Sequence, residues 1–233
     1  MGPFTLPDGS QKLTALAVNW HPSPNFGPRR EGQTPSLIVI HYTAMQNAQA
    51  ALDRLCDPAV EVSAHYLICR TGAIWQMVED QHRAWHAGAG SWQGLGDVNS
   101  RSIGIELDNT GAHPFPEPQM AVLEVLLADL MARWAIYPGG VIGHSDMAPD
   151  RKFDPGPRFD WARLARGRMA APTDHSTRCP PDAEKFRAMA VAGGYPEDAS
   201  DTGLRNAVRL RHRPWAHGPL RADDMAVVAG LTG

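Results

Sequence analysis

Apolar positions along this chain recur with two different periods. Residues 36–41 (SLIVIH) form a short apolar, β-branched run, the composition of a buried strand. Residues 47–58 follow with Ala48, Ala51, Leu52 and Leu55 at helical spacing, and Pro58 ends the pattern. The runs AHYLIC and AIWQMV flank Arg70, Thr71 and Gly72, as in a hairpin closed by a glycine turn. In residues 102–108 (SIGIELD), Ile103, Ile105 and Leu107 alternate with small or charged residues, which predicts another strand. From 117 to 137, Met120, Leu123, Leu126, Leu127, Leu130, Met131 and Trp134 make one helical stripe, stopped by Pro138, Gly139 and Gly140. Residues 141–144 (VIGH) read as a short strand that carries His144 at its end. Strands interleaved with helices predict an α/β fold, a sheet covered by helices.

Between these elements the texture is looser. Residues 19–35 are rich in Pro, Gly and Asn and read as an irregular arm. Residues 80–101 read as one long loop holding Trp85, His86 and Trp92, and loops of that length are more often functional than idle. After residue 172 the composition changes again: 173–180 reads as a linker. Residues 181–233 carry three short helical patterns: Phe186 with Met189 and Ala190, Leu204 with Val208, and Met225 with Val228 and Leu231. The expected organisation is a domain over 1–172 and a small three-helix bundle over 181–233.

Composition narrows the classes. At 233 residues, 43% hydrophobic and 20% charged, the chain can bury a real core. A net charge of −3 gives no global field for nucleic acid, which is not an expected partner. Three scattered cysteines imply neither a disulfide framework nor a Cys-rich zinc knuckle. No apolar run approaches the roughly 20 residues of a transmembrane helix. The first residues show no basic and apolar leader pattern, and Leu6 stands where myristoylation after Gly2 wants Ser or Thr. A cytoplasmic monomer is expected, or a periplasmic or envelope-associated one if a leader has been removed.

Candidate chemistry gathers at strand ends. His41 and His144 sit there, and Asp154 lies ten residues beyond the second. Two histidines and a carboxylate are a ligand set for catalytic zinc, with a fourth position left for water. Spacing alone leaves capping and core roles open. Glu106 points to the face opposite Ile103, Ile105 and Leu107; it is either a solvent-facing residue or a general base beside a metal. Lys152 is either a surface lysine or a fixed cation for an oxyanion.

The segments LIVIHYTA, SAHYLI, WHAG, NSRSIGIELDN and GHSDMAPDRKFDPGPRFDW occur in this order. Together they resemble the zinc-dependent N-acetylmuramoyl-L-alanine amidases of the type 2 amidase family, which includes peptidoglycan recognition proteins and the amidases of bacterial cell-wall recycling. The resemblance covers about residues 15–165. It implies a central mixed β-sheet flanked by helices, one Zn2+ bound by His41, His144 and Asp154, Glu106 as the acidic catalytic residue and Lys152 as the transition-state stabiliser. Where some members carry tyrosine and a cysteine ligand, this chain has Ala64 and Asp154, as in the recycling branch. The implied reaction releases the stem peptide from muramic acid in peptidoglycan or muropeptide fragments. The alternative is a module of the same fold that binds peptidoglycan without cutting it. The tail resembles the three-helix peptidoglycan-binding domain often appended to such amidases. His65, Trp85, His86 and Asn99 are candidate substrate contacts. Asp146 reads as a turn residue or an acceptor for a ligand imidazole, and residues 209–213 (RLRHR) as the solvated face of a bundle helix or a contact for muropeptide carboxylates, the first being favoured.

Overall fold

The computed structural model describes residues 16–172 and 178–231. The expected arm contains two strands, β1 (Val18–Trp20) and β2 (Phe26–Pro28). At three residues each they are too short to show a period, so the sequence reads as irregular where the backbone is paired. The buried strand is β3 (Leu37–Tyr42). Helix α1 (Ala48–Leu55) starts at Asn47, whose side-chain oxygen accepts the Ala50 N–H at 2.9 Å. The hairpin is β4 (Tyr66–Ile68) and β5 (Ile74–Gln76), with Gly72 at φ 88° in its turn, a backbone state only glycine adopts cheaply.

The long loop is more ordered than its composition suggests. It holds β6 (His82–Ala84), which pairs antiparallel with β2, and the single turn α2 (Val98–Arg101). After β7 (Ser102–Leu107) comes α3 (Glu117–Trp134). That helix ends at Trp134, the last residue of its apolar stripe and three short of the expected end at 137, because Ala135 adopts a left-handed φ of 54° and returns its N–H to Met131. Then follow β8 (Val141–Gly143), the single turn α4 (His144–Met147) and α5 (Trp161–Arg166). The tail is α6 (Ala183–Ala192), α7 (Asp201–His212) and α8 (Ala222–Gly230). The expected 173–180 linker falls mostly on 173–177, outside the described residues.

Six strands lie in the order β1-β5-β4-β7-β3-β8, all pairs parallel except β4–β5, so the sheet is mixed. Central β7 and β3 are covered on both faces, which explains their near-continuous apolar character. Arg29 of the arm ties three segments together: its guanidinium donates to the carbonyls of Asp80 (2.7 Å), Ser100 (2.9 Å) and Ser102 (3.0 Å).

On one face Ile38, Ile40, Ile103, Ile105 and Leu107 pack with Leu123, Leu127 and Leu130 of α3. Each fully buried leucine there is worth about 1.5–3 kcal/mol of transfer free energy. On the other face Leu37, Val39 and Ile142 share a core with Ala87, Trp92 and Met147, and also with Phe186, Leu204, Val208 and Met225 of the tail. The three expected helices are present, and their apolar sides close on the sheet as well as on one another.

Residues 209–213 are not a solvated face. Arg209 and Arg211 are buried, paired with Asp224 at 2.6 Å and with Asp146 at 2.7 Å. The reason is position: α7 packs against α4, α5, α6 and α8, leaving little of its circumference for water. Among the described residues, no helix is long and apolar enough to cross a membrane.

Candidate metal centre

Parallel pairing of β3 with β7 sets His41 directly opposite Glu106, so both side chains leave the sheet on the face away from α3. Strand β8 ends at Gly143, and His144 is the first residue of the turn that follows. The chain then doubles back, with the Ser145 N–H donating to the Asp154 carbonyl at 2.9 Å. This brings His41 Nδ1 to 2.9 Å from both His144 Nδ1 and Asp154 Oδ2, and His144 Nδ1 to 3.1 Å from that oxygen.

Hydrogen-bond bookkeeping fixes the ring protons. His144 Nε2 faces the Ala87 carbonyl at 2.8 Å and can only donate to it, which leaves Nδ1 with a lone pair. The Ser102 hydroxyl gives its proton to the Val98 carbonyl at 2.6 Å, so Ser102 Oγ accepts from His86 Nε2 at 3.2 Å. His86 Nδ1 is then an acceptor and takes the proton of His41 Nε2 at 3.0 Å. His41 Nδ1 is therefore also bare. Burial and neighbouring His144 push the His41 pKa down to about 4, keeping the ring neutral at pH 7. Burial raises the proton affinity of Asp154, yet its bonds to His144 and His41 hold the carboxyl well below the usual range.

Two lone pairs and a carboxylate thus converge with no proton between them, an arrangement that calls for a cation. Tetrahedral ligands at the roughly 2.0–2.1 Å bond lengths of zinc to nitrogen and oxygen stand about 3.3–3.4 Å apart. The observed separations of 2.9–3.1 Å fall a few tenths of an ångström short, so the donor set fits a metal after slight expansion.

Glu106 and Lys152 line one cleft of about 370 Å³ together with His41, His144 and Asp154. Burial, with help from Asp154 and against Lys152, pushes the Glu106 carboxyl up to about 8. Its Oε2 is shielded and has no hydrogen-bond partner, as expected of a group held for a ligand or a reaction. Arg151 props the cleft wall, donating to the Ala87 and Ala89 carbonyls at 2.7 and 2.5 Å.

Residues 31–157 match the family described as N-acetylmuramoyl-L-alanine amidase. The chain belongs to the N-acetylmuramoyl-L-alanine amidase family. Its members are metal-dependent, in keeping with the His–His–Asp cluster. The chain is 37% identical to N-acetylmuramoyl-L-alanine amidase AmiD of Escherichia coli over 194 residues, which span 75% of this chain and 66% of that protein. It is 36% identical to 1,6-anhydro-N-acetylmuramyl-L-alanine amidase AmpD of Citrobacter freundii, over 66% of this chain and 90% of the relative. Among solved structures, E. coli AmiD in complex with the substrate anhydro-N-acetylmuramic acid-L-Ala-D-gamma-Glu-L-Lys superposes with a TM-score of 0.77 at 31% identity, covering 97% of this chain and 96% of that one.

Within the amidase cleft, the four expected substrate contacts divide into two pairs. Trp85 and His86 line it. His65 and Asn99 lie behind it, because their polar atoms are engaged elsewhere. His65 Nδ1 accepts the Gly104 N–H at 3.0 Å, and Asn99 Oδ1 accepts the N–H groups of His86 and Ala87 at 3.0 and 2.8 Å. His86 also backs His41, and its ring lies where a Cβ on Gly104 would sit, 2.4 Å from its nearest atom. Glycine in the middle of SIGIEL is thus required by the imidazole beside it. Sequence reasoning passed over Tyr42, Met45, Arg54 and Phe153, which also line the cleft. Only Phe153 carried a signal, as an aromatic residue between Lys152 and Asp154; it is 59% exposed.

Proposed function

We propose that this chain hydrolyses the amide between N-acetylmuramic acid, or its anhydro form, and the L-alanine of the stem peptide, using zinc held by His41, His144 and Asp154. One observation carries the reading: two unprotonated imidazole nitrogens and a carboxylate meet beside an unpartnered, high-pKa Glu106. Zinc bound there would supply a Lewis acid and lower the pKa of a water towards about 7.

The chain's own groups complete the chemistry. In its carboxylate form Glu106 takes the proton of the attacking water and, being buried, holds it more tightly than an exposed glutamate would. It then passes that proton to the departing amine of L-alanine. Lys152 offers its ammonium to the oxygen that gains charge as the carbonyl becomes tetrahedral. Trp85 and Phe153 give the cleft apolar surface for the sugar or the peptide. The alternative, recognition without cutting, would give no use to the orphaned Glu106 oxygen.

The tail as a wall-contacting surface is part of the same reading, with exposed Trp215 (70%) as its aromatic contact. A cytoplasmic or an envelope location, and the monomeric state, belong to the same reading; cell fractionation of the native protein and light scattering read these two points directly.

Zinc-loaded protein incubated with anhydro-muropeptides and with intact sacculi, followed by mass spectrometry, tests the reaction. Free stem peptide beginning at L-alanine is expected from at least one substrate, and none from a Glu106→Ala control. A protein that binds sacculi but releases no peptide would establish the recognition module instead.

A further inference from the structure

The tail reaches the metal centre through one short turn. Asp146 sits two residues after His144 on α4 and is 0% exposed. Its Oδ2 accepts the Gly143 N–H at 2.8 Å, closing the turn that presents His144. The same oxygen accepts from Arg211 Nη1 at 2.7 Å, and Oδ1 accepts the Tyr195 hydroxyl at 3.1 Å. Arg211 also donates to the Val141 carbonyl at 3.1 Å, and its guanidinium lies 4.0 Å from the centre of the Trp161 ring. At the other end of α7, the Asp150 carboxylate accepts the N–H (2.8 Å) and the hydroxyl of Ser200. There it packs so closely on Gly203 that a Cβ would lie 2.1 Å from its oxygen. One helix therefore grips, at two points, the segment that carries His144, Lys152 and Asp154.

We propose that the C-terminal helices are a working part of the metal centre and that Arg211 is the positioning residue through which they act. Without its guanidinium, the Asp146 carboxylate is left buried beside a single backbone N–H and a hydroxyl. A buried carboxylate with so few partners is strongly disfavoured unless water reaches it. Hydrating Asp146 means opening the Gly143–Asp146 turn, and His144 moves with the turn. Partners that orient metal ligands typically alter metal affinity by about 10–100-fold. The inference rests on the metal reading above, and unmodified protein that holds no zinc refutes that reading first.

The experiment uses the full chain and measures zinc retention against a chromophoric chelator. Arg211→Met is expected to weaken zinc binding by about 10–100-fold and to lower kcat more than it raises KM. Arg211→Lys, which restores the charge without the fork, is expected to recover part of both. Arg209→Met is the control: it breaks a comparably buried pair with Asp224 that lies wholly inside the tail. It should lower Tm and leave zinc affinity alone. The proposal is overturned if folded Arg211→Met holds zinc like the unmodified protein, or if Arg209→Met loses zinc to the same extent. Should Arg211→Met not fold, Tyr195→Phe removes a single hydroxyl from Asp146. A several-fold loss of zinc affinity supports the proposal there, and unchanged affinity overturns it.

Discussion

On the side of the sheet that meets α3, β3 and β7 present Ile38, Ile40, Ile103, Ile105 and Leu107. On the opposite side the same two strands present Leu37, Val39 and His41 beside Ser102, Gly104 and Glu106. The first surface is held by burial alone, which is non-directional and forgiving of shape to within a methylene or two. The second depends on which nitrogen carries a proton, on a glycine that leaves room for a ring, and on carboxylates matched with guanidinium groups. A strand can serve both because its side chains alternate. Both sides carry buried apolar core, but only the second carries the chemistry, so damage confined to the α3 side should leave the site intact.

Four measurements press on that separation, in falling order of expected effect. Glu106→Gln removes the base without changing side-chain volume and should cost about 10²–10⁴ in kcat with the fold intact. A variant with near-normal kcat would take Glu106 out of the reaction. Lys152→Ala should cost about 10²–10³, close to what one oxyanion donor contributes elsewhere; a change confined to KM would make it a binding residue. Leu127→Ala, on the α3 side, should lose about 2–5 kcal/mol in denaturant unfolding while zinc content and kcat stay normal below its Tm. If it released metal while still folded, the two faces would not be independent.

The smallest effect concerns pH in the metal-free protein. Glu106 moves from its ordinary 4.5 up to about 8 on folding, so the folded state binds its proton more tightly. The stability this contributes is complete below about pH 4.5 and is lost as pH rises through about 8. Urea midpoints of Glu106→Gln should follow those of the unmodified protein at low pH and exceed them above pH 8. Parallel curves across the range would show that burial does not act on this group as described.

The apolar side was readable in advance because it is periodic. The leucine stripe of α3 and the alternation in SIGIELD announced themselves by spacing, and only the αL stop at Ala135 was hidden. On the polar side, His41, His144 and Asp154 were visible as a possible zinc set, but spacing left capping and core roles open until the resemblance joined them into one site. Their convergence depends on register, His41 opposite Glu106, and on a doubled-back loop, neither of which any local window encodes. Ser102 and Gly104 were invisible as site residues, since their roles exist only once His86 arrives from 16 residues before Ser102. The tail's basic run misled for a similar reason: RLRHR is written like a solvent face, and only tertiary packing supplies Asp146 and Asp224 as its partners.

Arg29 bears on how separate segments of this molecule are held to one another. Its hydrogen bonds end on residues 80, 100 and 102, which belong to the start of a long loop, a helical turn and a central strand. Burial has already lowered its pKa to about 10, a sign of how little water is left to substitute for those carbonyls. Until the three segments have met, the guanidinium has nothing to bind that solvent does not offer equally well. The arm is thus a clasp: Arg29→Ala should loosen all three segments together, read as faster hydrogen exchange around residues 80, 100 and 102.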